Sequence, residues 1–365
     1  MARLAFLIAN LGGGGAERVA IALIRGFVER GHEVDLVVMG AEGELFPLLP
    51  ASVRVFDLNA KRGRNVFAPL IRYLRERRPS ALQVSMWPLT VAAIISAKLS
   101  RTGVRVVVSD HCILSQQYRG STTATANLRA STRLLYPLAD ARIVVSAGGA
   151  DDLAQLSHIR RDRFEVVYNP IPVPPHALVS NGLAKRPCSG GPYILTVGAL
   201  KEAKNHALLI RAFAKMTASR PTRLVILGEG PLRSELEALA ARLDIADRVV
   251  MPGFAVDPWP YYASADLFVL SSHYEGFGNA IVEAMHAGLP VVSTDCPSGP
   301  AEILAHGRYG VLVPCDDEDR LAVAMATALD SEIDANAQRE RAMVFSGASA
   351  VNRYLQLMLG TQSPN

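Results

Sequence analysis

Residues 266–295, DLFVLSSHYEGFGNAIVEAMHAGLPVVSTD, contain one complete strand–helix–strand unit. The apolar run LFVLSS is typical of a buried strand, and AIVEAMHAG is typical of a helix that ends at Gly288, shortly before Pro290. The run PVVSTD then predicts a second strand. Strands joined by a helix in this way are usually parallel, so this stretch predicts a parallel sheet covered by helices.

The same alternation extends through both halves of the chain. In the first half the strand-like runs are RLAFLIAN, EVDLVVMG, ALQVSM, RVVVSDH and ARIVVSA, and in the second half they include YILTVGAL, RLVILGEG, RVVMPGF and GVLVP. The proline-rich segment VVYNPIPVPPH, at 166–176, separates the two series. We therefore expect an α/β fold of two Rossmann-like, doubly wound parallel-sheet domains, at 1–170 and 171–345. An amphipathic helix at about 346–359 could pack back onto the first domain.

Composition limits the class of protein. The 365 residues are 50% hydrophobic, 20% charged and 6% aromatic, which is typical of a soluble α/β protein with a sizeable core. Four widely spaced cysteines, at 112, 188, 296 and 315, form no metal or disulfide pattern and favour a reducing cytoplasm. We expect no membrane span, because PLTVAAIISA, one of the most apolar runs, is far shorter than the ~20 residues required.

Charge is distributed unevenly along the chain. Residues 1–170 contain 22 Lys and Arg against 14 Asp and Glu, a net +8, whereas the rest has 16 against 20, a net −4. The basic clusters are KRGR at 61–64, RYLRERR at 72–78 and RRDR at 160–163. They predict either solvated helix faces or contact with an anionic partner such as a membrane surface. Nucleic acid is not expected, since aromatic residues are not interleaved with these charges.

The first strand is followed by the glycine-rich loop LGGGGAER. A dinucleotide-binding G-x-G-x-x-G fails here, because Glu17 or Arg18 occupies the third glycine position, and the second strand ends without an acidic residue. A nicotinamide enzyme is therefore not favoured. The loop, whose glycines are Gly12, Gly13, Gly14 and Gly15, could hold an anion at the helix start or admit a substrate close to the backbone. A loop that is merely tight is the alternative.

Two other predicted strand ends carry candidate residues. RVVVSDH places Asp110 and His111 where a ligand is expected, although a packed or solvated histidine is the alternative. VGALKEAKNH places Lys201 and Lys204 just before a helix. Lysines there oppose the helix dipole unless an anionic ligand compensates them, so they indicate an anion site, with solvated lysines as the alternative.

Within the opening stretch, residues 275–283 read EGFGNAIVE. Glu275 lies in the loop and Glu283 about one turn into the helix, with the amides of Gly278, Asn279 and Ala280 between them. A diphosphate on these amides, with hydroxyl groups accepted by a carboxylate on either side, fits a nucleotide sugar. The alternative for Glu283 alone is an exposed helix residue, which its apolar neighbours disfavour.

Several motifs together resemble a known family. They are GGAER, VVYNPI, VGAL with its following lysine, LGEGPLR at 227–233, the E-x7-E of residues 275–283 in its setting, and SGPAEIL at 298–304. This set resembles the retaining glycosyltransferases of family 4, whose GT-B architecture has two Rossmann-like domains facing a central cleft. GGAER and SDH look most like the branch that builds bacterial lipopolysaccharide core, O-antigen, capsule and lipid-linked oligosaccharide.

The resemblance implies roles for individual residues. Glu275 would bind the donor sugar, Lys204 would neutralise the leaving diphosphate, and His111 would line the acceptor side near the reacting carbon. The loop Gly12 to Gly15 would lie near the phosphates and acceptor, with the first domain binding the acceptor and the second the nucleotide sugar. The remaining donor-binding residues would be Gly276, Phe277, Gly278, Asn279, Glu283, Gly228 and Lys201. The family usually has an arginine directly after VG, where this chain has Ala199, so half of its cationic clamp is missing from the usual place.

These observations predict a cytoplasmic glycosyltransferase, peripheral on the inner face of the membrane if the basic half binds lipid. Its donor would be a nucleotide-diphosphate sugar, with UDP as the expected nucleotide, and its acceptor a carbohydrate or lipid-linked sugar. We expect neither cofactor nor metal, because the D-x-D of Asp317 to Asp319 looks like an acidic helix start. The alternatives are a nucleotide-sugar 2-epimerase and a nucleotide-sugar-binding protein without catalysis.

Overall fold

The computed structural model describes residues 1–174, 191–217 and 221–361. It divides into two compact units, one formed by Met1–Pro170 with Gly347–Asn365 and the other by Ile171–Ser346. The last two residues of the proline-rich segment, 175–176, and Cys188 lie outside the described residues. Cys112, Cys296 and Cys315 are free thiols.

The first unit is built on a seven-stranded parallel sheet. Its strands are β1 (Arg3–Ile8), β2 (Glu33–Val38), β3 (Arg54–Asp57), β4 (Ala81–Ser85), β5 (Arg105–Asp110), β6 (Ala141–Val144) and β7 (Glu165–Val166). They are arranged β3-β2-β1-β4-β5-β6-β7, and every neighbouring pair is parallel. The order reverses direction at β1 and β4, which makes the sheet doubly wound, as the sequence predicts.

Helices cover both faces of this sheet. They are α1 (Gly15–Glu29), α2 (Phe67–Arg77), α3 (Leu89–Ser100), α4 (Leu114–Gln117), α5 (Thr122–Leu135) and α6 (Ala147–Ser157), together with the C-terminal helix, numbered α14 below. The strands β3 and β7 and the helices α5 and α6 are not predicted from the sequence. The strand β3 is largely exposed at the sheet edge, so RVFD lacks the apolar run that identifies a buried strand.

The second unit has a six-stranded parallel sheet in the order β10-β9-β8-β11-β12-β13. Its strands are β8 (Tyr193–Val197), β9 (Arg223–Leu227), β10 (Val249–Gly253), β11 (Leu267–Leu270), β12 (Val291–Thr294) and β13 (Val311–Val313). Its helices are α7 (His206–Thr217), α8 (Arg233–Arg242), α9 (Trp259–Ser264), α10 (Asn279–Ala287), α11 (Pro300–Ile303), α12 (Glu318–Asp330) and α13 (Ala335–Met343). The α/β parallel-sheet prediction is therefore confirmed for both units.

The last helix, α14 (Gly347–Leu359), belongs to the first unit. It packs against α1 and against β4 and β5. The contact with α1 depends on Gly26, because a Cβ there would lie 2.7 Å from the Cγ2 of Val351. On the helix face toward the sheet, Tyr354 is fully buried. A segment far along the sequence thus covers the centre of the first sheet.

Candidate functional site

In the second unit, three strand-end loops meet at the carboxyl edge of the sheet, because β8 lies between β9 and β11. Gly198 N donates to Leu227 O at 3.0 Å, which joins the ends of β8 and β9. On the other side His273 N donates to Ala203 O at 2.9 Å, and the Ser271 hydroxyl donates to Lys204 O at 3.0 Å. These bonds fix the loop after β8 against the loop after β11. This edge is where open α/β sheets bind ligands.

Gly228 permits the close approach of two of these loops. Its φ is +153°, and a Cβ would lie 2.0 Å from Gly198 O. No residue with a side chain fits without moving the backbone of the β8 loop. The observed role of Gly228, which the sequence predicts to bind the donor, is thus to hold the loop of Lys204 in position.

Lys204 and Glu275 form an ion pair across the two loops. Lys204 Nζ lies 2.5 Å from Glu275 Oε1, and the Ser272 hydroxyl donates to the same oxygen at 2.7 Å. The Glu275 side chain is 8% exposed and that of Lys204 29%. A carboxylate that is so nearly buried needs this compensation. The structure therefore brings together two residues that the sequence singles out separately, 71 positions apart.

The helix α10 begins immediately after this ion pair, at Asn279. Gly278 precedes it with φ +108° and, being a glycine, has no side chain of its own to cap the helix start. The positive end of the helix dipole therefore lies beside Glu275 and Lys204, where it favours an anion. The Phe277 side chain is 2% exposed and packs edge-on against Phe345, with ring centroids 5.4 Å apart. Phe277 is thus a packing residue whose ring is not exposed to a ligand.

The loop between β12 and α11 supports residues 276–278 from behind. The Ser298 hydroxyl donates to Gly276 O at 3.2 Å. Gly299 has φ +77°, and a Cβ there would lie 1.8 Å from Phe277 O. The SGPAEIL motif therefore fixes the backbone that leads into the helix start.

Glu283 lies further along α10 and is partly exposed. The Tyr262 hydroxyl donates to Glu283 Oε2 at 2.7 Å. Tyr262 is fully buried against Phe268, with ring centroids 5.9 Å apart, and against Trp259 at 5.7 Å. A rigid aromatic side chain thus fixes one oxygen of the carboxylate.

The loop after β8 shows what surrounds Ala199. Lys201 is exposed and, within the described residues, forms no ion pair; it begins the 3₁₀ turn Glu202–Lys204. The buried His206 imidazole packs under the loop, close to the backbone of Ala199 and Gly198. Burial, reinforced by the Lys204 charge, lowers the pKa of His206 to about 4, so its ring is neutral at pH 7.

In the first unit, His111 follows β5 and its ring is held by the protein. Its Nε2 lies 3.1 Å from Ser109 Oγ and 3.5 Å from Ser85 Oγ. Burial lowers the pKa of His111 to about 4, and the nearby Asn169 side chain offsets this only in part. The imidazole is therefore neutral at pH 7, which favours hydrogen bonding over a charged role.

The prediction that Asp110 faces a ligand beside His111 is wrong. Asp110 is 2% exposed and accepts a hydrogen bond from the Tyr136 hydroxyl at 2.8 Å. Its pKa is raised to about 6 by burial, although the bonds from Tyr136 and the Trp87 backbone act against the rise. Side chains of adjacent strand residues point to opposite faces, so Asp110 enters the core.

The glycine loop of the first unit leads from β1 into α1. Gly12 N donates to Asn10 Oδ1 at 3.1 Å, and Gly13 has φ +99°. Gly14 precedes the helix, which begins at Gly15, and a Cβ on Gly14 would lie 2.4 Å from Glu17 Oε2. The Glu17 carboxylate thus curls back toward the helix start, where an acidic side chain is favoured.

The interpretation of the D-x-D as a helix start is confirmed. Asp317 caps α12 by accepting a hydrogen bond from Arg320 N at 2.9 Å, and Asp319 pairs with Lys215 at 2.6 Å. Within the described part of the chain, no group of three His, Cys, Asp or Glu side chains lies together as a metal site would require.

Sequence reasoning missed the residues that fix the two glutamates. Ser272 stands in LSSHYEG, where a second serine beside the motif gives a weak signal. Tyr262 gives none, because WPYYA reads only as an aromatic helix and its contact with Glu283 depends on how α9 packs against α10.

Two family models match the chain. One, described as glycosyl transferases group 1, matches residues 185–344, and the other, described as glycosyltransferase family 4, matches residues 13–173. Together they cover most of both units. The two parallel-sheet domains and the two family matches define the class as GT-B glycosyltransferases. The chain belongs to the group 1, family 4 glycosyltransferases, and it is a glycosyl-transferring enzyme of the hexosyltransferase type.

Several curated relatives are named for the biosynthesis of polysaccharide or lipopolysaccharide, or for transfer to a lipid-linked sugar. One is the N-acetylgalactosamine-N,N'-diacetylbacillosaminyl-diphospho-undecaprenol 4-alpha-N-acetylgalactosaminyltransferase of Campylobacter jejuni, which is 28% identical over 99% of this chain and 100% of its own length. Another is the amylovoran biosynthesis glycosyltransferase AmsD of Erwinia amylovora, 27% identical over 82% of both chains. Neither an epimerase nor a non-catalytic binding protein is favoured by these relatives.

Solved structures support the fold. The complex of Anabaena HepE with UDP-glucose superposes with a TM-score of 0.80 at 21% identity, covering 99% of this chain and 100% of that one. The apo form of the lipopolysaccharide outer core galactosyltransferase WaaB gives 0.73 at 20% identity, with the same coverage. Among the residues that the structure describes, no helix has the length and apolarity needed to span a bilayer.

Proposed function

We propose that this enzyme transfers a sugar from UDP to a carbohydrate or lipid-linked acceptor, with retention of anomeric configuration, in the synthesis of a cell-surface polysaccharide or glycolipid. The observation that carries the proposal is the Lys204–Glu275 ion pair beside the start of α10. A cation and a helix N-terminus favour a diphosphate, while the carboxylate beside them can accept a sugar hydroxyl.

In the reaction, a hydroxyl oxygen of the acceptor bonds to the anomeric carbon as the bond between that carbon and the diphosphate oxygen breaks. Negative charge develops on the leaving diphosphate, which takes up the proton of the acceptor hydroxyl. Lys204 and the amides of residues 276–279 act on that charge. Such groups are most effective when they are already in place before the reaction, and the bonds from the Ser271 hydroxyl and His273 N to the loop of Lys204 provide this. The positive charge that develops on the sugar ring is stabilised on the other side by Glu275.

The two glutamates divide the donor between them. Glu275 takes the sugar, because it is nearly buried and adjoins Lys204, whereas Glu283, partly exposed and oriented by Tyr262, takes the ribose. A nucleotide sugar places its diphosphate between two hydroxyl-bearing rings. Residues 275–283 present groups in the same order: a carboxylate for one ring, a helix start for the diphosphate and a second carboxylate for the other ring.

The choice of UDP and of a lipid-linked acceptor rests on likeness. HepE was solved in complex with UDP-glucose. The Campylobacter relative, by its name, acts on a sugar carried by diphospho-undecaprenol. Since Lys204 and the helix start supply positive charge at the proposed diphosphate position, we further propose that transfer needs no divalent metal. Full activity in excess EDTA is the expected result.

The basic first unit offers a surface for an anionic bilayer, which we propose as the place where the acceptor is met. The surface consists of Arg72, Arg75, Lys98, Leu99, Arg101 and Leu138, with Glu76 and Asp140 nearby. Leu99 is 55% exposed and Leu138 47%. By contrast, Arg160 and Arg161 of the RRDR cluster already pair with Asp162 and Asp151. Cations beside exposed leucines fit a lipid surface.

Vesicle binding tests this surface. Full-length protein should bind vesicles containing phosphatidylglycerol, should release as salt rises, and should bind less after Lys98→Glu with Arg101→Glu. Arg160→Glu is the matched control, since that arginine is already neutralised. Absence of binding at low salt would remove the membrane from the proposal, with donor chemistry unaffected.

A thermal-shift panel of UDP-, GDP-, ADP- and dTDP-sugars tests the donor. A ligand at ~100 times its dissociation constant adds roughly 2.7 kcal/mol to the free energy of unfolding, so a UDP-sugar should raise the Tm measurably. Stabilisation by another nucleotide alone would contradict the choice of UDP. The anomeric proton coupling of the transferred sugar, read by NMR, tests retention.

A further inference from the structure

A column of buried polar side chains stands behind His111 in the first unit. Gln83 and Ser85 lie on the same face of β4, and Ser109 of β5 is the register partner of Ser85. None of the three is more than 5% exposed. Buried polar groups cost free energy unless they are hydrogen-bonded, so three of them in the central strands require a specific arrangement.

The distances define that arrangement. Gln83 Nε2 lies 2.7 Å from Ser109 Oγ and 2.9 Å from Ser85 Oγ. The two hydroxyl oxygens are 3.1 Å apart. His111 Nε2 lies 3.1 Å from Ser109 Oγ and 3.5 Å from Ser85 Oγ. The column therefore runs without a gap from the middle of β4 to the histidine ring.

The amide of Gln83 has one favourable orientation. With its nitrogen toward the serines, both N–H groups are bonded and only Oε1 is left without a partner among the described residues. The opposite orientation would leave two buried N–H donors unpaired. Orphaned buried donors are rarer than under-satisfied carbonyl oxygens, so the nitrogen faces the serines.

The protons of the two serine hydroxyls then determine the tautomer of His111. Each serine oxygen accepts one N–H from Gln83, and each hydroxyl must place its own proton elsewhere. One hydroxyl can donate to the other serine oxygen, but the second then has His111 Nε2 as its acceptor within the column. This holds whichever serine donates to the other. An Nε2 that accepts a hydrogen bond carries no proton in the neutral ring.

We propose that Gln83, Ser85 and Ser109 are positioning residues that hold His111 in the tautomer with its proton on Nδ1. His111 Nδ1 is buried and has no hydrogen-bond partner among the described residues, so the N–H it carries in this tautomer lies on the side away from the column and can be offered to a ligand oxygen. Tyr354 of α14, fully buried next to Ser109, closes the column from that helix. In this tautomer the neutral ring can orient an oxygen by donating a hydrogen bond to it. This role in transfer rests on the proposed function, whereas the assignment of the tautomer does not.

The tautomer can be measured without any variant. Full-length protein labelled with ¹⁵N-histidine should show, at pH 7, the His111 ring with a protonated Nδ1 and an unprotonated Nε2 in a long-range proton–nitrogen spectrum. The spectrum of His111→Asn identifies which of the eight histidines is His111. A ring protonated on Nε2, or a charged ring, would overturn the proposal.

Variants test whether the column causes the tautomer preference of His111. Ser109→Ala should allow both tautomers and lower kcat about tenfold, the effect of one ordinary hydrogen bond, with little change in donor KM. Ser96→Ala, which removes an equally buried hydroxyl from α3, should change neither the spectrum nor kcat. An unchanged His111 tautomer in Ser109→Ala contradicts the proposal. If Ser109→Ala loses the tautomer preference but the unchanged protein transfers no sugar, the positioning role of the column is supported and the proposed function is rejected.

Discussion

Lys204 Nζ lies 2.5 Å from Glu275 Oε1, so the two charged groups of the candidate donor site neutralise each other in the structure. The pair joins the loops after β8 and β11, which are neighbours in the sheet. Glu275 is nearly buried, whereas Lys204 retains some exposure. A diphosphate that binds there would share Lys204 with Glu275, so each group matters to both stability and donor binding.

Replacing Lys204 by Met should lower the free energy of unfolding by about 1–2 kcal/mol, less than for a fully buried pair, because Lys204 is partly exposed. It should also lower kcat about 10²-fold or more, since stabilisation of the leaving diphosphate is lost. Arg242→Met is the control, because Arg242 is an exposed cation of the same unit, at the end of α8, and forms no ion pair among the described residues. Chemical denaturation and transfer kinetics measure the two effects.

The double variant with Glu275→Gln separates these effects. Removing the negative charge should restore much of the stability lost in Lys204→Met, because no uncompensated carboxylate remains. Activity should not return. If the two stability changes simply add, the ion pair is not the source of the loss.

Tyr262→Phe should weaken donor binding about tenfold or less, with little change in kcat. The hydroxyl bonds directly to Glu283 Oε2 at 2.7 Å, and its loss removes one hydrogen bond that orients that carboxylate. Tyr261→Phe removes a hydroxyl from the neighbouring position, where no described hydrogen bond involves the side chain, and should have no effect. Isothermal titration with UDP gives both affinities. Equal affinities for the two variants would show that Tyr262 does not position Glu283.

The sequence pattern identifies the structural features that are formed within a short stretch of the chain. The strand–helix–strand unit of residues 266–295, the glycine that ends its helix and the strand-end position of Glu275 all follow from periodicity and turn chemistry within a short window. The Lys204–Glu275 pair does not, because it depends on β8 lying beside β11. Asp110 shows the other limit: strand residues alternate between faces, and the pattern does not say that the face of Asp110 packs against Tyr136.

Gly299→Ala should destabilise the second unit strongly, by more than the ~1–2 kcal/mol that a left-handed conformation alone costs an alanine. A Cβ at this position would lie 1.8 Å from Phe277 O, so the backbone before α10 must move. UDP-sugar binding should fall as well, because residues 276–279 supply the proposed diphosphate amides.

Gly31→Ala is the control for that substitution. Gly31 has φ +79°, nearly the +77° of Gly299, but a Cβ there meets nothing within 4 Å. Its Tm should fall only by the conformational penalty, with donor affinity unchanged. Similar losses of Tm for both variants would mean that the contact with Phe277 O contributes nothing.

Stability should fall as the pH is lowered from 7 to 5. Burial lowers the pKa of His111, His206 and His286 to about 4, from an ordinary 6.5. Between these values the unfolded chain takes up protons that the folded protein does not, so acidification favours unfolding, by about 1–2 kcal/mol per histidine at pH 5. Asp110 acts in the opposite direction, because its pKa is raised to about 6 and the folded state takes up its proton first.

The combined destabilisation from the three histidines exceeds the stabilisation from the Asp110 carboxyl group, so the Tm should drop between pH 7 and pH 5. Replacing the buried His286 by Leu should make the drop smaller, since the unfolded chain then has one fewer site to protonate. Calorimetry at pH 7, 6 and 5 provides the comparison. A Tm that stays constant, or a His286→Leu curve parallel to that of the unchanged protein, would show that the buried rings take up protons in the folded state.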